Sequence, residues 1–174
     1  ALYPEHARSP DALVSAADNA MYEAKSQGRN GYLFYSPDMA EQKRERMSME
    51  QGLLKAIDQH QLCILYQPMT DLANNRLSGL EALLRWQHPS EGMIAPARFI
   101  PVAEECGLIE QIGEWVMRTA CQQGQAWLAA GLAVPRLSVH VSVREMRAIG
   151  YVERVSVVLA ETGLPEDRLE TGVV

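Results

Sequence analysis

Hydrophobic and polar positions follow two different periods along this chain, and the change from one to the other divides it. Leu13, Ala17, Met21 and Ala24 recur at helical spacing after Ser9-Pro10-Asp11, which reads as a hydroxyl N-cap, a proline at the first helical position and an acid in the first turn. A helix is predicted from there to a stop at Gly28. Tyr32–Tyr35 reads as a short strand. Ser36-Pro37-Asp38 repeats the start signal, and a second helix is expected over residues 37–59. Glu41, Lys43, Arg44, Glu45 and Arg46 crowd its beginning, while Met39, Met47, Leu53, Leu54 and Ile57 are too sparse at first to face a core. A solvated connector between two modules fits that pattern.

From residue 60 onward the pattern turns to strands. Leu62–Tyr66 reads as a buried strand, residues 71–75 as a turn, and Leu77–Trp86 as a second strand close enough to pair antiparallel with the first. Helices are expected over Pro96–Cys106 and Ile109–Ala130, the second with Ile112, Val116, Ala120 and Trp127 on one stripe. In Leu137–Val143 the residues Leu137, Val139, Val141 and Val143 alternate with Ser138, His140 and Ser142. A further helix near residues 150–162 precedes Gly163-Leu164-Pro165, with a possible strand at the end. Strands alternating with helices predict an α/β domain with a largely parallel sheet.

Period two sorts the second strand into faces. Glu81, Leu83 and Arg85 share one, and Leu80, Ala82, Leu84 and Trp86 share the other. The apolar face is expected under helices. Burying either charge unpaired is costly, so the Glu/Arg face either looks into a polar cavity or ligand site, or carries a structural ion pair at a strand end. His140, between two serines, is either a hydrogen-bonded core residue or a ligand.

Composition narrows the classes. The chain has 174 residues, 47% of them hydrophobic, enough for a real core and for one domain or one and a fraction. A formal net charge of −6 without a long basic run argues against a nucleic-acid polymer as partner and leaves mononucleotides and dinucleotides open. Cys63, Cys106 and Cys121 form no C-x-x-C pair, which speaks against a disulfide framework or structural zinc and for a reducing cytoplasm. No stretch approaches the apolar length of a membrane span, so this segment is expected to make no membrane contact. The chain opens at Ala1 without an initiating Met, and a piece of a longer protein is expected, whose missing N-terminal segments could anchor it.

Several runs carry a resemblance. Tyr66-Gln67-Pro68, Glu81-Ala82-Leu83-Leu84-Arg85-Trp86 with His88-Pro89, and Phe99-Ile100-Pro101-Val102-Ala103-Glu104-Glu105-Cys106-Gly107-Leu108-Ile109 resemble the opening motifs of EAL domains. Val139-His140-Val141-Ser142 and Gly163-Leu164-Pro165 follow in the same order. EAL domains are bacterial phosphodiesterases that linearise cyclic di-GMP on a variant (β/α)8 barrel. Upstream, Ala17-Asp18-Asn19-Ala20-Met21-Tyr22-Glu23-Ala24-Lys25-Ser26-Gln27-Gly28-Arg29-Asn30 resembles the last helix and turn of GGDEF diguanylate cyclase domains. The resemblance implies a C-terminal GGDEF piece over residues 1–36, a connector helix over 37–59 and the first half of an EAL barrel, its first strand antiparallel, over 60–174.

Carried over residue by residue, the resemblance makes Glu81 a catalytic carboxylate and a ligand to Mg²⁺ or Mn²⁺, the hard cations that favour oxygen. It makes Arg85 a phosphate clamp, Leu83 part of the substrate floor and Gln67 a ligand contact from the neighbouring strand. The implied chemistry is metal-assisted hydrolysis of cyclic di-GMP to a linear dinucleotide. His140 stands where the family usually has a metal-binding Asn, and imidazole suits Mn²⁺ or Zn²⁺ better than Mg²⁺. The acidic strand motif expected after Arg168-Leu169-Glu170 reads Thr171-Gly172-Val173-Val174 instead. The later carboxylates are absent, so this chain is expected to be inactive alone. Lys25 and Arg29 match GTP-phosphate contacts of the cyclase family, but without a Gly-Gly-Asp/Glu-Glu-Phe loop they are vestigial.

A barrel of this type takes about 250 residues, and half of one leaves an open strand edge. Self-association, as a dimer or a swapped oligomer, is therefore expected. Two functions stay in play: part of a cyclic di-GMP phosphodiesterase, or a module that binds the dinucleotide, or another partner, without hydrolysis.

Overall fold

The computed structural model describes residues 1–26 and 30–173. The chain divides into two compact units, Ala1–Gln51 and Gly52–Val174. In the first, helix α1 (Pro10–Ser26) begins as expected, with the Ala12 N–H on the Ser9 hydroxyl at 3.3 Å. Helix α2 (Pro37–Asp58) opens in the same unit. Lys43 donates to Asn19 at 3.3 Å, and Lys43 and Arg46 lie 5.4 and 5.7 Å from the Tyr22 ring centre. Lys43 and Arg46 thus lie along α1, while Glu41, Arg44 and Glu45 of the same turns are exposed. Gly28 and Arg29 lie outside the described residues.

The strand expected at Tyr32–Tyr35 does not form. A strand needs a neighbour for its backbone donors and acceptors, and no strand is found among the described residues of this unit. Its aromatic rings contact one another and His6 instead, with Tyr32 and Phe34 exposed.

The second unit is built on one mixed sheet, in the order β1-β2-β4-β5 with β3 attached to β2. Strand β1 (Leu62–Asp71) and strand β2 (Arg76–His88) form a long antiparallel hairpin, several residues longer than the sequence pattern indicates. Its turn is held by Asp71, whose carboxylate accepts from the Ala73 N–H at 2.9 Å and from the Asn74 amide at 2.6 Å. Strand β3 (Gly92–Ile94) folds back on β2, an element with too few residues to show a period. Strand β4 (Leu137–Val141) and strand β5 (Leu169–Val173) continue the sheet in parallel. Two of the four pairings are antiparallel, so the sheet is more mixed than the strand–helix alternation suggests.

Helix α3 (Pro96–Cys106) and helix α4 (Ile109–Ala129) follow β3. They pack with the apolar face of the sheet, where Trp86, Phe99, Ile112, Leu137, Val139 and Val141 are almost fully buried. The Trp86 ring meets Phe99 edge-on at 5.8 Å, and Tyr66 meets Trp127 at 4.7 Å. The end of α2 closes over this core at Gly52, where a Cβ would stand 2.8 Å from the Trp86 ring. Two short helices complete the unit. Helix α5 (Val143–Arg147) starts where β4 was expected to run on, and helix α6 (Tyr151–Thr162) leads back to β5. Ser142 is not a strand residue but the N-cap of α5. Its hydroxyl accepts from the Arg144 N–H at 3.1 Å, and Glu145 returns the bond to the Ser142 N–H at 3.0 Å.

Candidate active site

Hydrogen-bond register aligns one row of side chains across four strands. Gln67 lies opposite Glu81, Glu81 is level with Ser138, and Ser138 is level with Glu170. One pleat further along the same face come Leu65 opposite Leu83, and His140 level with Gly172. Cys63 and Arg85 form the next pair. Neighbours in register project to the same side of a sheet, so Gln67, Glu81, Leu83, Arg85 and His140 share the face opposite the helix-covered core. Of the residues predicted for the main site, all five stand together. Lys25 is exposed at the end of α1, in the other unit.

Glu81 and His140 meet directly, Nε2 of the imidazole against Oε1 of the carboxylate. With Nε2 carrying the proton, this is a donated hydrogen bond that satisfies both groups at a partly solvated position. Arg85 instead turns one N–H to the Leu84 carbonyl at 2.7 Å. Among the described residues no carboxylate pairs with it, so the ion-pair reading of Glu81 and Arg85 does not hold. Leu83, Arg85 and His140 also reach the rim of a cleft of about 420 Å³, which lies on the helix side of the sheet between Ala82 and Leu84 of β2 and Ile100, Ile109 and Ile112 of α3 and α4.

The donor set is thin for a metal. Among the described residues no group of three or more His, Cys, Asp or Glu comes together. One carboxylate and one imidazole fall short of the six or more oxygens that hard divalent cations take. These residues alone do not fit a resident Mg²⁺ or Mn²⁺.

A second cluster, missed in the sequence, supports the end of β4. The Ser142 hydroxyl donates to the Glu104 carboxylate on α3, and the Arg144 guanidinium reaches the Glu104 carbonyl. Glu145 is buried and seated on α4 at Gly113, where any Cβ would fall 1.4 Å from its Oε1. The signal was present: Ser142-Val143-Arg144-Glu145 is a capping-box pattern, though its burial has no signature in a single sequence.

The sequence profile described as the EAL domain matches residues 50–173. The chain belongs to the EAL domain family. It is 41% identical over 169 residues to the bifunctional diguanylate cyclase/cyclic di-GMP phosphodiesterase MucR of Pseudomonas aeruginosa, an alignment covering 97% of this chain and 25% of MucR. With the cyclic di-GMP phosphodiesterase NbdA of the same organism it is 34% identical over 172 residues, 99% of this chain and 22% of NbdA. Among solved structures, the PaMucR phosphodiesterase in complex with c-di-GMP superposes with a TM-score of 0.69 at 39% identity, over 71% of this chain and 50% of that one. The FimX EAL domain from Pseudomonas aeruginosa bound to c-di-GMP gives 0.63 at 25% identity, over 72% and 49%. The chain thus spans about a quarter of the length of these curated relatives and half of the solved EAL chains. The EAL segment presents a mixed α/β sheet related to TIM-like barrels. Among the described residues no helix is long and apolar enough to cross a membrane.

Burial of Glu145 has a pH signature. Desolvation, aided by the charges of Glu110 and Glu104 and opposed by the Ser142 N–H and Arg154, pushes its carboxyl from 4.5 up to about 7. Below 4.5 both folded and unfolded chains hold the proton and no penalty arises. Between 4.5 and about 7 only the folded chain holds it, so this group's contribution falls as pH rises, and above 7 the loss is complete. Glu145→Gln keeps an acceptor for the Ser142 N–H and removes the charge. Urea denaturation is expected to show the variant gaining stability relative to the parent as pH rises from 5 to 8, with little difference at the acid end. A difference that does not vary with pH would contradict this burial.

Proposed function

We propose that this chain is part of a bacterial GGDEF–EAL signalling protein and carries the substrate-recognition half of its cyclic di-GMP phosphodiesterase site. The observation that carries the reading is the single face holding Glu81, Leu83, Arg85, Gln67 and His140, with Arg85 unpaired by any described carboxylate. In this reading Arg85 holds a phosphate by charge-assisted hydrogen bonds, Leu83 supports the dinucleotide and Gln67 touches it from β1. Glu81 is the catalytic carboxylate and, with His140, one of two donors toward Mg²⁺ or Mn²⁺ in the complete domain. This chain alone binds cyclic di-GMP and does not hydrolyse it.

The first unit is proposed as the end of a GGDEF domain. Support comes from the alignment of 97% of this chain with a relative named as both cyclase and phosphodiesterase. Lys25, with Arg29 beyond the described residues, is there a remnant of a nucleotide site. A cytoplasmic location follows from such a ligand. The binding-only alternative draws on His140: its imidazole engages Glu81, which in that case serves recognition and not catalysis.

Titration calorimetry with cyclic di-GMP, alongside a hydrolysis assay in Mn²⁺ and in Mg²⁺, tests the reading. Binding without turnover is expected. Arg85→Ala should weaken affinity by about ten- to a hundredfold, the about 1.5–3 kcal/mol of a hydrogen bond to a charged group. Undiminished affinity in that variant would remove Arg85 from the site. Turnover would show that this chain needs no further carboxylates.

We further propose that the polypeptide self-associates through β5. This strand pairs only with β4 among the described residues and leaves its outer ladder open. Sedimentation at high protein concentration should show dimers or larger species, and a monodisperse monomer would sink the idea.

A further inference from the structure

At the first residue of α6, the Tyr151 hydroxyl is buried and finds no hydrogen-bond partner among the described residues. A phenol O–H shut away from water is costly unless something satisfies it. Beside it lies a small cavity of about 20 Å³, bounded by Tyr151, Glu145, Gly113 and the Val139–Val141 stretch of β4. That is room for one water molecule and for no larger ligand. Glu145 is only 7% exposed, and its Oε2 already accepts from the Ser142 N–H at 3.0 Å. Its other oxygen lies over the bare Cα of Gly113, where a side chain would have displaced it. Glu110 and Arg154, paired at 3.6 Å, line the same cavity.

We propose that one internal water molecule is bound here as a constituent of the fold, taking the Tyr151 O–H and bridging it to the Glu145 carboxyl. Cavities lined by apolar groups alone stay dry, whereas one offering two or more polar partners holds water. A hard cation would want several more oxygens than this wall supplies. The water ties α6 to the capping box that turns the chain out of β4, two residues past His140. Tyr151 is therefore a positioning residue: it acts through the water and Glu145 on the strand end that aims His140 at Glu81. This holds whether or not the site takes cyclic di-GMP.

The test is a crystal structure of the 174-residue chain at a resolution that shows ordered solvent, paired with NMR of the His140 imidazole nitrogens. One density peak is expected within about 3 Å of both Tyr151 Oη and a Glu145 oxygen. Tyr151→Phe should lose that peak and shift the His140 nitrogens, which report the Glu81 contact. If Tyr151→Phe does not fold, Glu145→Gln provides the second variant and should retain the water on its amide. A dry cavity, a Tyr151 hydroxyl bonded straight to Glu145, or an ion in the water's place would overturn the proposal. So would a Tyr151→Phe chain whose His140 resonances are unmoved.

Discussion

The register of one hairpin decides what this protein can do. β2 carries Glu81, Leu83 and Arg85 on one side and Ala82, Leu84 and Trp86 on the other, and a slip of one residue would exchange the two sets. Burial of Trp86 against Phe99 and of Ala82 under the helices makes such a slip expensive. The long pairing from Leu62 opposite Trp86 through Gln67 opposite Glu81 carries that choice into the neighbouring strand. The charged face is thus held open by the hydrophobic effect acting on its reverse.

Once β2 is set, β4 has to present His140 at the same level and then leave the sheet. Ser142 performs the exit. Its backbone and hydroxyl are engaged by Glu145, Arg144 and Glu104, so α3 and α5 both bear on a single residue. The seating of Glu145 on Gly113 explains why a glycine is accepted inside α4, where it would otherwise cost about 1 kcal/mol relative to alanine. Stability is given up here for position: a buried carboxyl is a poor core residue and a good clamp.

Much of this was legible beforehand because it rests on period. The two faces of β2, the stripe of α4 and the alternation up to Val141 follow from burial on one side, and burial writes itself into spacing. The failures share a different cause. Tyr32–Tyr35 has the composition of a strand, but pairing depends on a neighbour that local pattern cannot supply. Val143 continues the alternation of β4, yet it is exposed in α5, since the capping box outweighs an apolar residue in choosing the local conformation. Glu145 and Tyr151 look like surface residues in a helix-rich stretch, and only the packing of α4, α5 and α6 around them reveals a buried polar site. Arg85 shows the converse: its charge was evident, but that it answers to a backbone carbonyl and not to Glu81 required side-chain placement.

The central claim is that the polar face of this open sheet, and no other surface, receives the dinucleotide. Backbone amide NMR of the isotopically labelled chain titrated with cyclic di-GMP addresses it residue by residue. The account predicts shifts concentrated at Gln67, Leu83, Arg85 and His140, with the Val139, Leu137 and Trp127 side of the sheet undisturbed. Shifts confined to the helical side, or spread over the first unit while β2 and β4 stay silent, would contradict it.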